Sequence, residues 1–184
     1  MLLRSETSQL LLIDIQDKLL PAMAEPEAVR ANAIKLAKAA RHFQCPMVVS
    51  EQYPKGIGHT DSALAAELGE GARIFEKLEF SAIRDEAIAR ELTKNRIQGR
   101  SQVVICGIES HVCVLQTALE MTRSGFQTFC VEDAMSSRTM SSKLAALSRL
   151  RQAGVTIVTT EMVIFEWLGR AGTADFKALL PLIK

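Results

Sequence analysis

Two stretches of this chain set reactive side chains against apolar runs. VVICGIESHVC (103–113) carries two of the four cysteines, Cys106 inside an apolar run and Cys113 beyond a Gly-Ile-Glu-Ser-His break. A thiol at the point where a buried strand gives way to a helix is a core residue, a redox partner or a nucleophile. If the helix starts near His111, Cys113 lies in its first turn, where the dipole and free N–H groups favour the thiolate and lower its pKa. The same N–H groups can bind the oxyanion formed when a thiolate attacks a carbonyl. In QLLLIDI (9–15), Asp14 interrupts the apolar residues Leu10 to Ile13 and Ile15. A carboxylate there is partly desolvated and needs a partner. It serves as a cap, half of a structural ion pair, or a base. Lys77, ending RIFEK (73–77), is a candidate partner, because neighbouring strands lie ~4.8 Å apart and a lysine stem spans more than one spacing.

The elements that must position these groups follow from the pattern. Apolar runs at 9–15, 46–51, 73–77, 101–108, 127–133 and 155–160 read as strands. Helical patterns lie between them at 26–43, 60–68, 84–95, 111–123 and 139–153, with a last pair at 160–168 and 173–182. Glu25 and Glu27 stand where a helix N-terminus favours anions. Gly125 and Gly154 follow helices at places that want a left-handed residue. Strands apolar on both faces and separated by helices predict a parallel sheet covered on both sides, a three-layer α/β/α sandwich. Ligands of such sheets bind at the carboxyl ends of the strands. Asp14, Glu51 with Gln52, Lys77, the Glu109–Cys113 segment and Glu132 with Asp133 therefore share one sheet edge. SEQYPKGIGHT (50–60), with the only tyrosine, reads as a functional loop.

Composition sets the class. The 184 residues are 48% hydrophobic and 23% charged, with net charge +1, the balance of one globular domain spanning 1–184. Near-neutral charge gives no signal for nucleic acid or a membrane surface. The basic run Arg138 to Arg151 reads as the wet face of a helix. The N-terminus lacks signal-peptide features, and no apolar run approaches the ~18 residues of a membrane helix. Cysteines at 45, 106, 113 and 130 form no CxxC pair, so a reducing, cytoplasmic setting is expected, with neither zinc site nor disulfide frame. GEGARI (69–74) lacks the third glycine of a dinucleotide fingerprint and reads as a turn.

LLIDIQ, EKLEFS and CGIESHVCV resemble the signature segments of the isochorismatase-like cysteine hydrolases, which include nicotinamidases and N-carbamoylsarcosine amidases. SEQYPKGIG, DAMSSR and RLRQAGVTIVTTE look most like the branch called isochorismatase domain-containing proteins. The resemblance covers nearly the whole chain. It implies a six-stranded parallel sheet and a Cys–Asp–Lys triad carried onto Cys113, Asp14 and Lys77. It also implies a non-proline cis bond at Ile108–Glu109, with the N–H groups of Glu109 and Cys113 binding the oxyanion. A small amide-like substrate would then meet Gln52, Tyr53, Phe80 and His111.

Nicotinamidases hold a metal through an Asp-x-His pair and a later His. The matching stretch here offers only Glu51 and Tyr53, with His59 beyond, so no metal and no cofactor are expected. Two other classes compete with a hydrolase: a member that keeps the triad by descent but serves as a binding or scaffold protein, and a thiol redox enzyme. The absence of a resolving cysteine counts against the latter. The terminal helical stretch EMVIFEWLGRA is apolar on more than one face, and the expectation is a homo-oligomer.

Overall fold

Period-two alternation sorts the strand side chains onto two faces. In β1 (Ser8–Ile13), Leu10 and Leu12 enter one core while Leu11 and Ile13 enter the other. The computed structural model describes residues 1–183. After β1 come α1 (Pro26–His42), β2 (Met47–Gln52), α2 (Pro54–Ile57), α3 (Ser62–Leu68) and β3 (Ala72–Lys77). Then follow α4 (Glu86–Ile97), β4 (Gln102–Ile108), a π-helical turn (Ser110–Val114) running into α5 (Leu115–Arg123), and β5 (Gln127–Ser136). The chain continues through α6 (Met140–Gln152), β6 (Thr156–Val158), α7 (Thr160–Leu168) and α8 (Ala174–Leu179).

The strands form one six-stranded, all-parallel sheet in the order β3-β2-β1-β4-β5-β6. Val29 and Leu36 of α1, with Val163 and Trp167 of α7, cover one face. Ile88 and Leu92 of α4, Met121 of α5 and Leu150 of α6 cover the other. Each fully buried aliphatic side chain contributes about 1.5–3 kcal/mol. The three-layer α/β/α sandwich is the architecture observed. Gly125 and Gly154 adopt φ of 81° and 82°, left-handed as expected. No helix of the described residues is long and apolar enough to cross a membrane.

Three expectations are corrected. β3 is an edge strand rather than one covered on both faces, with Arg73, Ile74 and Glu76 exposed. The stretch at 50–60 is not wholly irregular, because Pro54 opens the short α2 with Tyr53 before it at φ 38°. The basic run is not simply a wet face. Lys143 is buried and meets Glu25 at 3.2 Å, while Arg138 pairs with Glu109 and Arg151 with Glu132. Each of these cations finds a carboxylate on a neighbouring element. Glu25 itself forms no side-chain cap on α1.

The chain builds β1, β2 and β3 outward, then returns to lay β4 on the other side of β1. Strand order reverses between β1 and β4, and the crevice beyond their carboxyl ends is where open α/β sheets bind ligands. Gly107 stands beside Ile13 at that point. Its φ is 128°, and a Cβ there would lie 2.0 Å from the Ile13 carbonyl oxygen. Gly107→Ala is therefore expected to lose about 3 kcal/mol of folding stability, from overpacking against backbone together with the positive φ. Urea unfolding checks this, and an unchanged midpoint would contradict it.

Candidate active site

Asp14 is the first residue past β1. Its φ of 53° takes the chain out of the strand, and its N–H donates to the Ser50 carbonyl at 3.0 Å. The carboxylate is wholly buried. Oδ2 accepts from Lys77 Nζ at 2.7 Å, and Oδ1 accepts from Ser50 Oγ at 2.7 Å. The pairing of Ile13 with Ser50 and of Gln52 with Lys77 in the sheet brings these side chains into reach.

Lys77 is also wholly buried and has several acceptors. Besides Asp14, its ammonium reaches Gln52 Oε1 at 2.6 Å and the Glu79 and Phe80 carbonyls at 3.1 and 3.5 Å. Cys113 Sγ lies 3.8 Å from Lys77 Nζ. Gln52 is itself held. Its Nε2 donates to the Leu78 carbonyl at 2.8 Å, and its N–H donates to Gln16 Oε1 at 2.7 Å. Gln16 Nε2 in turn donates to the Gln52 carbonyl at 3.0 Å. Asp14, Lys77 and Cys113 thus meet in one buried cluster framed by glutamines.

Burial pushes the Asp14 pKa above its ordinary value, against the pull of the Lys77 ammonium and the Ser50 hydroxyl. Cys113 contradicts the expected thiolate. Burial first, and the Asp14 charge second, push its thiol up to about 12, with Lys77 only partly opposing them. A helix start favours a thiolate that faces solvent; this thiol is only 6% exposed and sits beside a carboxylate. At neutral pH it is protonated at rest. The segment before it turns through a cis bond at Ile108–Glu109. The N–H groups of Val112 and Val114 both donate to the Glu109 carbonyl, at 3.0 and 3.3 Å.

The model of the isochorismatase domain matches residues 8–162 of this chain. The chain belongs to the isochorismatase family. Among family relatives, isochorismatase domain-containing protein 2A of Mus musculus is 37% identical over 97% of this chain and 84% of its own. A solved structure described as MAR1 ribonuclease of Caenorhabditis elegans superposes with a TM-score of 0.92 and is 33% identical, covering 100% of this chain and 92% of that one. The YcaC gene product of Escherichia coli, described as an octameric hydrolase of unknown specificity, has a TM-score of 0.87 and 25% identity over 98% and 90% of the two chains. This isochorismatase-family chain is accordingly placed among hydrolases.

The residues expected at the substrate are distributed unevenly in this family member. Tyr53 and Phe80 are 51% and 57% exposed. The Tyr53 ring lies over Gly56, where a Cβ would approach it to 2.6 Å. The Gln52 amide is engaged by Lys77 and Leu78. His111 is half-buried, its Nδ1 2.9 Å from Ser137 Oγ. The Glu109 carboxylate holds both the backbone N–H and the guanidinium of Arg138 at 3.1 Å.

Glu51 faces away from the cluster. Burial disfavours its charge, yet the N–H and hydroxyl of Thr60, each at 2.7 Å, and the His59 ring at 2.9 Å together hold its pKa below the usual range. The same contact raises the pKa of His59. Among the described residues, no group of three or more His, Cys, Asp or Glu side chains is placed to hold a metal ion.

Sequence alone does not single out Ser50 and Gln16 as site residues. The available signal was a polar residue inside or directly after a buried strand, as in MVVSEQ. Lys77→Met leaves the Asp14 charge buried and unpaired, so it is expected to lose about 3–5 kcal/mol of stability. Asp14→Leu combined with Lys77→Met should recover a large part of that loss. Chemical denaturation of the single and double variants tests this; a double variant no more stable than Lys77→Met would contradict it.

Proposed function

We propose that this chain is a cysteine hydrolase that cleaves a small amide-like substrate at its C–N bond through a thioester on Cys113. The observation carrying this reading is the placement of one ammonium, Lys77 Nζ, 2.7 Å from Asp14 Oδ2 and 3.8 Å from Cys113 Sγ. Because the thiol is protonated at rest, Asp14 acts as general base in the attacking step. The S–H proton passes to the Asp14 carboxylate as sulfur bonds to the carbonyl carbon. The carbonyl electron pair moves to oxygen, where the N–H groups of Glu109 and Cys113 receive it. Collapse breaks the C–N bond, and Asp14 returns its proton to the leaving amine. Water then attacks the thioester, giving a proton to Asp14. The C–S bond breaks, and that proton restores the thiol. Lys77 stabilises the ionised partners throughout.

A cavity of about 400 Å³ lies beside the cluster, lined by Lys77, Tyr53, Pro54 and Leu78 but by neither Asp14 nor Cys113. That volume suits a small molecule. Glu76, Glu79 and Asp85 line it against one further cation, Lys55. This acidic rim disfavours a polyanion, so the ribonuclease description of the C. elegans relative is not carried over here. The same fold supports a homo-oligomer: Met162 and Phe165 of α7 stay 45% and 44% exposed beside a buried Trp167.

Iodoacetamide labelling with peptide mapping tests the nucleophile. Cys113 is expected to react far faster than Cys45, Cys106 and Cys130, and Asp14→Asn or Lys77→Ala should slow it at least tenfold. Equal reactivity of all four cysteines would favour a binding or scaffold protein instead. A panel of small amides and carbamoyl compounds, with Cys113→Ala as control, should reveal turnover only in the natural chain. Light scattering should return a multiple of the monomer mass, and a monomer would refute the oligomer.

A further inference from the structure

We propose that Ser50 is a positioning residue for Asp14, holding the carboxylate in its ionised, base-competent form through the 2.7 Å bond from Ser50 Oγ to Asp14 Oδ1. This deepens the cysteine-hydrolase reading and rests on it. Ser50 lies on β2 directly beside Ile13. Its side chain points to the same sheet face as Val48, two residues earlier, which packs in the apolar core with Ile13 and Cys113. A hydroxyl on an apolar face needs a reason. Both Ser50 and Asp14 are 0% exposed, so water does not take over if the hydroxyl is lost.

The geometry divides the carboxylate between two donors. Lys77 holds Oδ2 and Ser50 holds Oδ1. An ionised carboxylate has about four acceptor sites, so two donors fix its plane and leave sites for the thiol proton. The titratable groups bearing on Asp14 are Lys77 of β3 and Cys113 of the π-helical turn. Ser50 is the one neutral hydroxyl among its partners. Without it, the ionised form loses a donor that the apolar face cannot replace, and proton affinity rises.

The bland alternative is a strand serine satisfying its own hydroxyl, with no effect on the base. The two readings separate in a pH profile. The rate of Cys113 alkylation by iodoacetamide in the full chain should fall on the acid side as Asp14 is protonated. In Ser50→Ala that acid limb should move up by about one pH unit, the size expected for one hydrogen bond to a charged group. Ser50→Thr keeps the hydroxyl and should restore the limb. Should Ser50→Ala fail to fold by circular dichroism, Ser50→Gly removes the same hydroxyl and should give the same shift. Asp14→Asn serves as the separate control and should abolish the limb. Ser50→Ala and Ser50→Gly profiles coinciding with the natural chain, while Asp14→Asn loses the limb, would overturn the role of Ser50 and leave the hydrolase reading standing. A limb that survives in Asp14→Asn would overturn the underlying reading, and the role of Ser50 with it.

Discussion

The buried ion pair between Asp14 and Lys77 is the interaction on which the rest of the site depends. Moving two charges out of water costs several kcal/mol per ion, and their attraction offsets this only when the remaining donors and acceptors are also filled. The surroundings meet that requirement. Ser50 takes the second carboxylate oxygen, while Gln52 and the carbonyls of Glu79 and Phe80 take the ammonium. Gln16 and Leu78 then hold Gln52. The ends of β1, β2 and β3 are tied into one geometry by the need to satisfy two charges. Charges arranged this way are preorganised, which is what a reaction with developing charge requires.

The same burial shapes the chemistry. A thiol pushed up to about 12 is a poor resting thiolate, so the proposed reaction has to activate it in the attacking step. The carboxylate beside it has an affinity for protons above the ordinary value. With Asp14 as the proposed base, that higher affinity narrows the energetic gap for proton transfer from so weak an acid.

Much of this was legible in the sequence because it rests on periodicity. The apolar runs alternated with helical patterns strongly enough to give six parallel strands, and the rule for strand carboxyl ends then collected Asp14, Lys77 and Cys113 at one edge. What escaped reading depends on distances between elements far apart in sequence. The exposed faces of β3 follow from its place at the edge, which strand composition does not encode. First-turn position, which favours a thiolate, is visible in sequence, while the burial and the nearby carboxylate that raise the thiol's pKa are not. Lys143 reads as solvated in sequence, and only the packing of α6 lays it against Glu25. Ser50 and Gln16 looked like ordinary polar residues at strand ends, and their partners appear only once the strands are aligned.

The central claim is that Cys113 carries the acyl group. The most direct test is rapid acid quench of the protein with an amide that it turns over, followed by intact-protein and peptide mass spectrometry. The account predicts an added acyl mass on the peptide containing Cys113, labile to hydroxylamine and absent in Cys113→Ala. Turnover by Cys113→Ala at the natural rate, or an acyl group on any other residue, would contradict it.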